Sequence, residues 1–201
     1  MKSKYIIVPL FLLIFSGCVT IVKWKYGITN PREQTPEKLH AFLKKHKYPD
    51  TCQFVFTDSS AYFHRMRDSV FKKHLFSNMI FDRQGSLLQS DPSKCQWSGF
   101  EVVKSLNKDS AYPKSPGPSL AGLLDQIEPF GPEISQVSFV KDPDFTVIVT
   151  WALFLGTYNA RLFELSEAVA QNPGARIRLV WINMDMQERW NLTKNQKLEI
   201  R

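Results

Sequence analysis

The sequence predicts an α/β domain, and three observations carry that expectation. Residues 145–151 and 176–182 are two apolar, β-branched runs; a helical period joins them; and an upstream stretch from Cys52 to Leu88 reads as strand, helix and hairpin. The chain has 201 residues, enough for one sizeable core. With 43% hydrophobic and 22% charged residues, it is neither a disordered chain nor a multi-span membrane protein. No fixed-period repeat points to a solenoid.

The first element is an address. Lys2 and Lys4 precede an uncharged run from Tyr5 to Val22, whose apolar part ends in Ser16-Gly17-Cys18. A basic start, an apolar centre and small residues before a cysteine form an export signal. Ile14-Phe15-Ser16-Gly17-Cys18 resembles the lipobox of a bacterial lipoprotein, which implies cleavage after Gly17 and a lipid on the Cys18 thiol. An uncleaved single-span anchor is the alternative, and Pro9 near its middle speaks against it. The expected organisation is a signal peptide over 1–17, a tether over 18–34 in which Gly27 and Pro31 break regular structure, and one domain over 35–201.

The domain opens with a helix over 37–46. Leu39, Phe42 and Leu43 share one face, and Lys38, Lys44 and Lys45 lie on another. Thr35 or Asn30 caps it, with Pro36 in its first turn. Such a basic face is either ordinary solvated surface or a rest for anionic headgroups. A strand over 52–56 follows, then a helix capped by Asp58 or Ser59 that carries Tyr62, Phe63, Met66, Val70 and Phe71. A hairpin closes around Asp82-Arg83-Gln84-Gly85. The segment from Tyr112 to Ser119 is too rich in proline to be helix or central strand, and it divides the domain. Asp142-Pro143-Asp144 announces the strand over 145–151. A helix over 157–171 follows, with Leu162, Leu165 and Val169 inward and Asn172-Pro173-Gly174 as its stop. A strand over 176–182 completes a βαβ unit with parallel neighbouring strands.

Within that unit, Trp151-Ala152-Leu153-Phe154-Leu155-Gly156-Thr157-Tyr158-Asn159 resembles the active-site stretch of the thioredoxin family, Trp-Ala-x-Trp-Cys-Gly-Pro-Cys-Lys. Trp151, Ala152 and Gly156 match, and Leu179 to Asp185 is similar to the family's next strand with its Asn-x-Asp ending. The resemblance implies a thioredoxin-like central sheet flanked by helices. It also marks what is missing: Leu155 and Tyr158 stand where the family carries its two cysteines, and Thr157 where it carries proline. Neither side chain exchanges disulfides, so dithiol chemistry is excluded at this turn. The upstream strand, helix and hairpin look like the family's third strand, helix and closing hairpin, with Ser77 at the place of the family's cis-proline. Two explanations stand side by side: a circularly permuted element order joined through the Pro113 to Pro118 loop, or a generic β-α-hairpin.

With Cys18 given to lipid, Cys52 and Cys95 form an even pair in a compartment that permits disulfides. A structural bridge, two free thiols and a redox pair all remain open. The four histidines lie among lysines without metal-ligand spacing, so no metal is expected; no phosphate-binding loop or nucleophile elbow occurs, and no cofactor is expected. The net charge of +7 would suggest nucleic acid, but export argues against it. The expected function is an exported, membrane-anchored lipoprotein of the bacterial cell envelope. Its non-catalytic thioredoxin-like domain binds or assembles with an unknown protein or small molecule. The alternative is a thiol-disulfide redox protein using Cys52 and Cys95.

Overall fold

The computed structural model describes residues 23–89, 99–130 and 140–196. Cys18, Cys95 and the expected signal segment lie outside the described residues. The described chain is a mixed α/β structure. In chain order it runs α1 (Pro36–His46), β1 (Gln53–Phe56), α2 (Ser59–Arg67), α3 (Ser69–Lys73), β2 (Asn78–Asp82), α4 (Gly99–Lys104), α5 (Leu120–Leu124) and β3 (Ile127–Pro129). Then come β4 (Phe145–Trp151), a 3-10 segment (Leu153–Tyr158), α6 (Asn159–Phe163), α7 (Leu165–Ala170) and β5 (Ile177–Asn183).

The five strands form one sheet in the order β2-β4-β5-β1-β3. β4 and β5 are parallel in register from Phe145↔Ile177 to Trp151↔Asn183, as the βαβ reading requires. β1 adds a further parallel neighbour to β5, while β2 and β3 close the two sides antiparallel. β4 is buried along its whole length, which is why it reads as a continuous apolar run and not as an alternation.

The helix ends follow local chemistry. Thr35, not Asn30, caps α1, accepting from the Lys38 N–H, and Lys47 in the left-handed region ends it. Leu39 and Leu43 enter the core completely, and Lys38, Lys44, Lys45 and Lys47 stay exposed. Asp58 caps α2 through the Ala61 N–H at 2.8 Å. The expected single helix from here to Phe71 is in fact two. Asp68 is extended and starts α3 by accepting from the N–H groups of Val70 and Phe71, so the carboxylate that stops one helix nucleates the next.

The sheet is covered on both faces by aromatic side chains. Phe42 of α1 stacks on Trp151, and Phe163 of α6 contacts both Trp151 and Trp181. On the other face Phe56 meets Tyr62 of α2 and Phe71 of α3 edge-on. The expected hairpin forms after β2: Leu88 N–H donates to Ile80 O, and Gly85 takes φ +77° in the turn. Its returning strand then pairs with the proline-rich segment, through Gln89 N–H to Pro113 O and Ser115 N–H to Leu87 O. Prolines are tolerated there because the segment pairs on one side only.

Candidate functional site

The stretch from Trp151 to Asn159 leaves the end of β4, a strand with a neighbour on either side. It does not enter an α-helix directly. A 3-10 segment comes first, and α6 begins at Asn159, two residues later than the helical period predicts. The cause is Gly156, whose φ of +57° and ψ of −130° are not helical. A Cβ there would overlap the carbonyl oxygens of Tyr26 and Gly27, so the glycine admits a second stretch of backbone. Asn159 fixes the turn from inside: its buried Nδ2 donates to Ala152 O at 2.8 Å and Gly156 O at 3.1 Å.

Leu155 and Tyr158, where the resemblance would place two cysteines, are respectively buried and half-buried. Leu155 is 4% exposed and belongs to the core, with Phe154 beside it. The phenol of Tyr158 donates to Phe76 O at 3.4 Å, and burial pushes its pKa up. A thiolate at position 155 would also lack the aligned N–H groups that a regular helix start supplies.

Residues 23–34, part of the expected tether, lie against this turn as a strap. Thr29 N–H donates to Phe154 O at 2.9 Å, and the Thr157 hydroxyl donates to Tyr26 O at 3.2 Å. The Tyr26 ring meets Tyr158 edge-on at 5.4 Å. Further along, Gln34 N–H donates to Met186 O and Gln34 O accepts from Glu188 N–H, a parallel bridge onto the segment after β5. The strap thus joins the ends of the two strands of the βαβ unit.

Beneath it lies a polar knot that the sequence shows only as an Asn-x-Asp ending. Asp185 is 1% exposed, and its Oδ2 accepts from Leu153 N–H at 2.7 Å and from Asn183 Nδ2 at 2.9 Å. Its Oδ1 has no hydrogen-bond partner. Burial raises its pKa from 3.8 to about 6, against the opposing pull of those donors. Gln187 Nε2 closes the knot on Asp185 O at 2.8 Å, and the Tyr62 hydroxyl donates to Met184 O at 3.2 Å. The alternation Asn183, Asp185, Gln187 after an apolar strand was the available signal: polar groups at period two directed into the protein.

No family model, curated protein or solved structure matches the chain.

A cavity of about 310 Å³ opens beside Tyr158, lined among others by Phe76, Ser77, Asn78, Phe100 and Arg161. Ser77 and Tyr158 thus face one cavity, and the described peptide bonds are all trans. Cys52 is elsewhere, at the start of β1, half-buried and with φ +57°. Burial raises its thiol pKa, the opposite of what an attacking thiol needs. Cys95, and Cys18 with its expected lipidation, lie outside the described residues. Among the described residues no three His, Cys, Asp or Glu side chains converge on a metal position. No helix of these residues is long and apolar enough to cross a membrane.

Proposed function

We propose that this chain is an exported lipoprotein of the bacterial cell envelope, anchored through Cys18, whose thioredoxin-like domain acts by binding or assembly and not by thiol exchange. One observation carries the second half of this reading. The turn that would hold a dithiol is filled by core Leu155 and hydrogen-bonded Tyr158, and the chain's own residues 26–29 lie across it. A reactive pair needs access for a second protein's disulfide, and here that approach is taken.

Support for the thioredoxin-like reading comes from neighbourhoods in the sheet. β4 has a parallel partner reached through a helix and an antiparallel partner drawn from an upstream hairpin. The residues opening that hairpin strand touch the turn through Phe76. The permuted order is favoured for the hairpin alone: β5 occupies the place beside β4 that the upstream strand was read as resembling, and β1 sits beyond it. The redox alternative on Cys52 and Cys95 finds no favouring feature at Cys52, whose burial holds the thiol protonated.

Two measurements test the reading. Acyl labelling of the full chain should be present in wild type and absent in Cys18→Ser; equal labelling of both overturns the anchor. Wild type and a Cys52→Ser, Cys95→Ser variant should be equally inert towards a protein disulfide; turnover by wild type that the variant loses overturns the non-catalytic reading.

A further inference from the structure

Among the described residues, Trp24 is the one large apolar side chain left almost wholly in water, 86% exposed; Val140, at 38%, is next. Trp24 lies among the helical residues 23–26, which are held in place. Gly27 N–H donates to Trp24 O and Ile28 N–H to Lys23 O, while the following residues are bound to Phe154 and Thr157. The indole is therefore held out in solvent on a hydrogen-bonded base.

The surroundings are cationic. The Tyr26 ring centroid has Lys25 Nζ at 5.5 Å and the Arg161 guanidinium at 5.4 Å, and Trp24 and Lys25 are both exposed. Trp24 follows Cys18 by six positions, which at full extension span no more than about 20 Å. The chain just before it, Tyr5 to Val22, carries no charge. Tryptophan and tyrosine with flanking lysine and arginine are the side chains that settle at the level of lipid headgroups, indole in the acyl boundary and cations on phosphate. Helix α1, the other basic candidate, has spent its apolar face on the core through Leu39 and Leu43 and can offer charge only.

We propose that residues 23–26 seat the protein on an anionic lipid surface, with Trp24 inserted at the headgroup boundary and Lys25 on the phosphates. This rests on the membrane-anchored reading above and adds to it an orientation: the turn from Trp151 to Asn159 is presented towards the bilayer, because the strap that carries Trp24 lies on that turn. The lipid on Cys18 holds the chain at the bilayer, and the Trp24 contact adds a second attachment that sets its orientation.

The test uses the full chain in vesicles of phosphatidylglycerol or of phosphatidylcholine doped with acyl-brominated lipid, comparing wild type with Trp24→Phe. The difference emission isolates Trp24. It is expected to shift to the blue and to be quenched at least twofold in phosphatidylglycerol, less in phosphatidylcholine, and less again in high salt. In a Cys18→Ser chain begun at residue 18, free of the apolar leader, Trp24→Ala should weaken phosphatidylglycerol binding on the order of tenfold, and Lys25→Gln about fivefold. Unchanged thermal unfolding of each variant shows that the fold is intact. Difference emission that stays red and unquenched overturns the proposal and leaves Trp24 as a contact for a protein partner. Mass measurement at Cys18 separates the two readings. An unacylated chain whose Trp24 is still quenched removes the anchor and upholds this surface. An acylated chain whose Trp24 is unquenched does the reverse.

Discussion

The indole Nε1–H of Trp151 donates to Oε1 of Gln53 at 2.9 Å, joining the last residue of β4 to the first of β1 across the intervening β5. Both side chains are fully buried, and Gln53 passes the interaction on by donating from Nε2 to Pro49 O at 2.7 Å. A buried amide with both ends satisfied costs little; with one end orphaned it costs its desolvation. Trp151→Phe removes the donor and leaves a void among Phe42, Phe130 and Phe163. It should destabilise the protein by about 3 kcal/mol in urea unfolding. A loss below about 1 kcal/mol would show that Gln53 finds another donor.

Gly156→Ala places a methyl group where the Tyr26 and Gly27 carbonyls sit, on a backbone conformation that only glycine adopts readily. Either the turn or the strap must move, at a cost of about 2 kcal/mol or more. Limited proteolysis should then cut between residues 23 and 34 faster than in wild type, before the rest of the fold is attacked. Equal cleavage rates would mean that the strap is not held through this contact.

The Asp185 carboxyl gives stability a pH dependence whose sign follows from its raised pKa. Between about pH 4 and pH 6 the unfolded chain has released this proton while the folded one keeps it, so stability falls as pH rises through that window and levels off above it. The shift from 3.8 to about 6 corresponds to a loss on the order of 3 kcal/mol. Asp185→Asn retains an oxygen for the Leu153 N–H and carries no charge. Its unfolding midpoint should stay flat across the same window, and a variant as pH-dependent as wild type would place the titration elsewhere.

Asn172 holds two elements at once. Its Nδ2 reaches the carbonyls of Val103, Lys104 and Leu106 at the end of α4, and its Oδ1 accepts from Gly174 and Ala175 N–H. The sequence marks this asparagine merely as a helix stop. Asn172→Ala should cost about 2 kcal/mol, and amide exchange should quicken at both α4 and the start of β5. A change confined to one of them would contradict the cross-link.

What was legible in the sequence is what depends on neighbours in the chain. The apolar runs of β4 and β5, the helical period between them, the Gly85 hairpin and the caps at Thr35 and Asp58 were all readable, because each is a contest decided within a few residues. Asp68 belongs to the same class: the apolar period runs on from Tyr62 to Phe71, and the aspartate two residues before Val70 is the sign of a second helix start. The 3-10 segment was not legible. Gly156 matched a family glycine by position, and its physical reason, the passage of Tyr26 and Gly27, lies 130 residues away in the chain. The polar knot left only the alternation of Asn183, Asp185 and Gln187 as a sign, because its partner, the Leu153 N–H, lies 32 positions upstream.

The strap also determines how a pull on the amino terminus would be borne. Tension entering at Lys23 meets the Tyr26 contacts with Thr157 and Tyr158 first, the Thr29 to Phe154 bond next and then the Gln34 bridge onto Met186 and Glu188, so these few contacts take the load in series before any strand of the sheet is strained. The protein carries a short mechanical fuse between whatever holds its front end and its core, and stretching should release a little over ten residues of slack while the sheet stays whole.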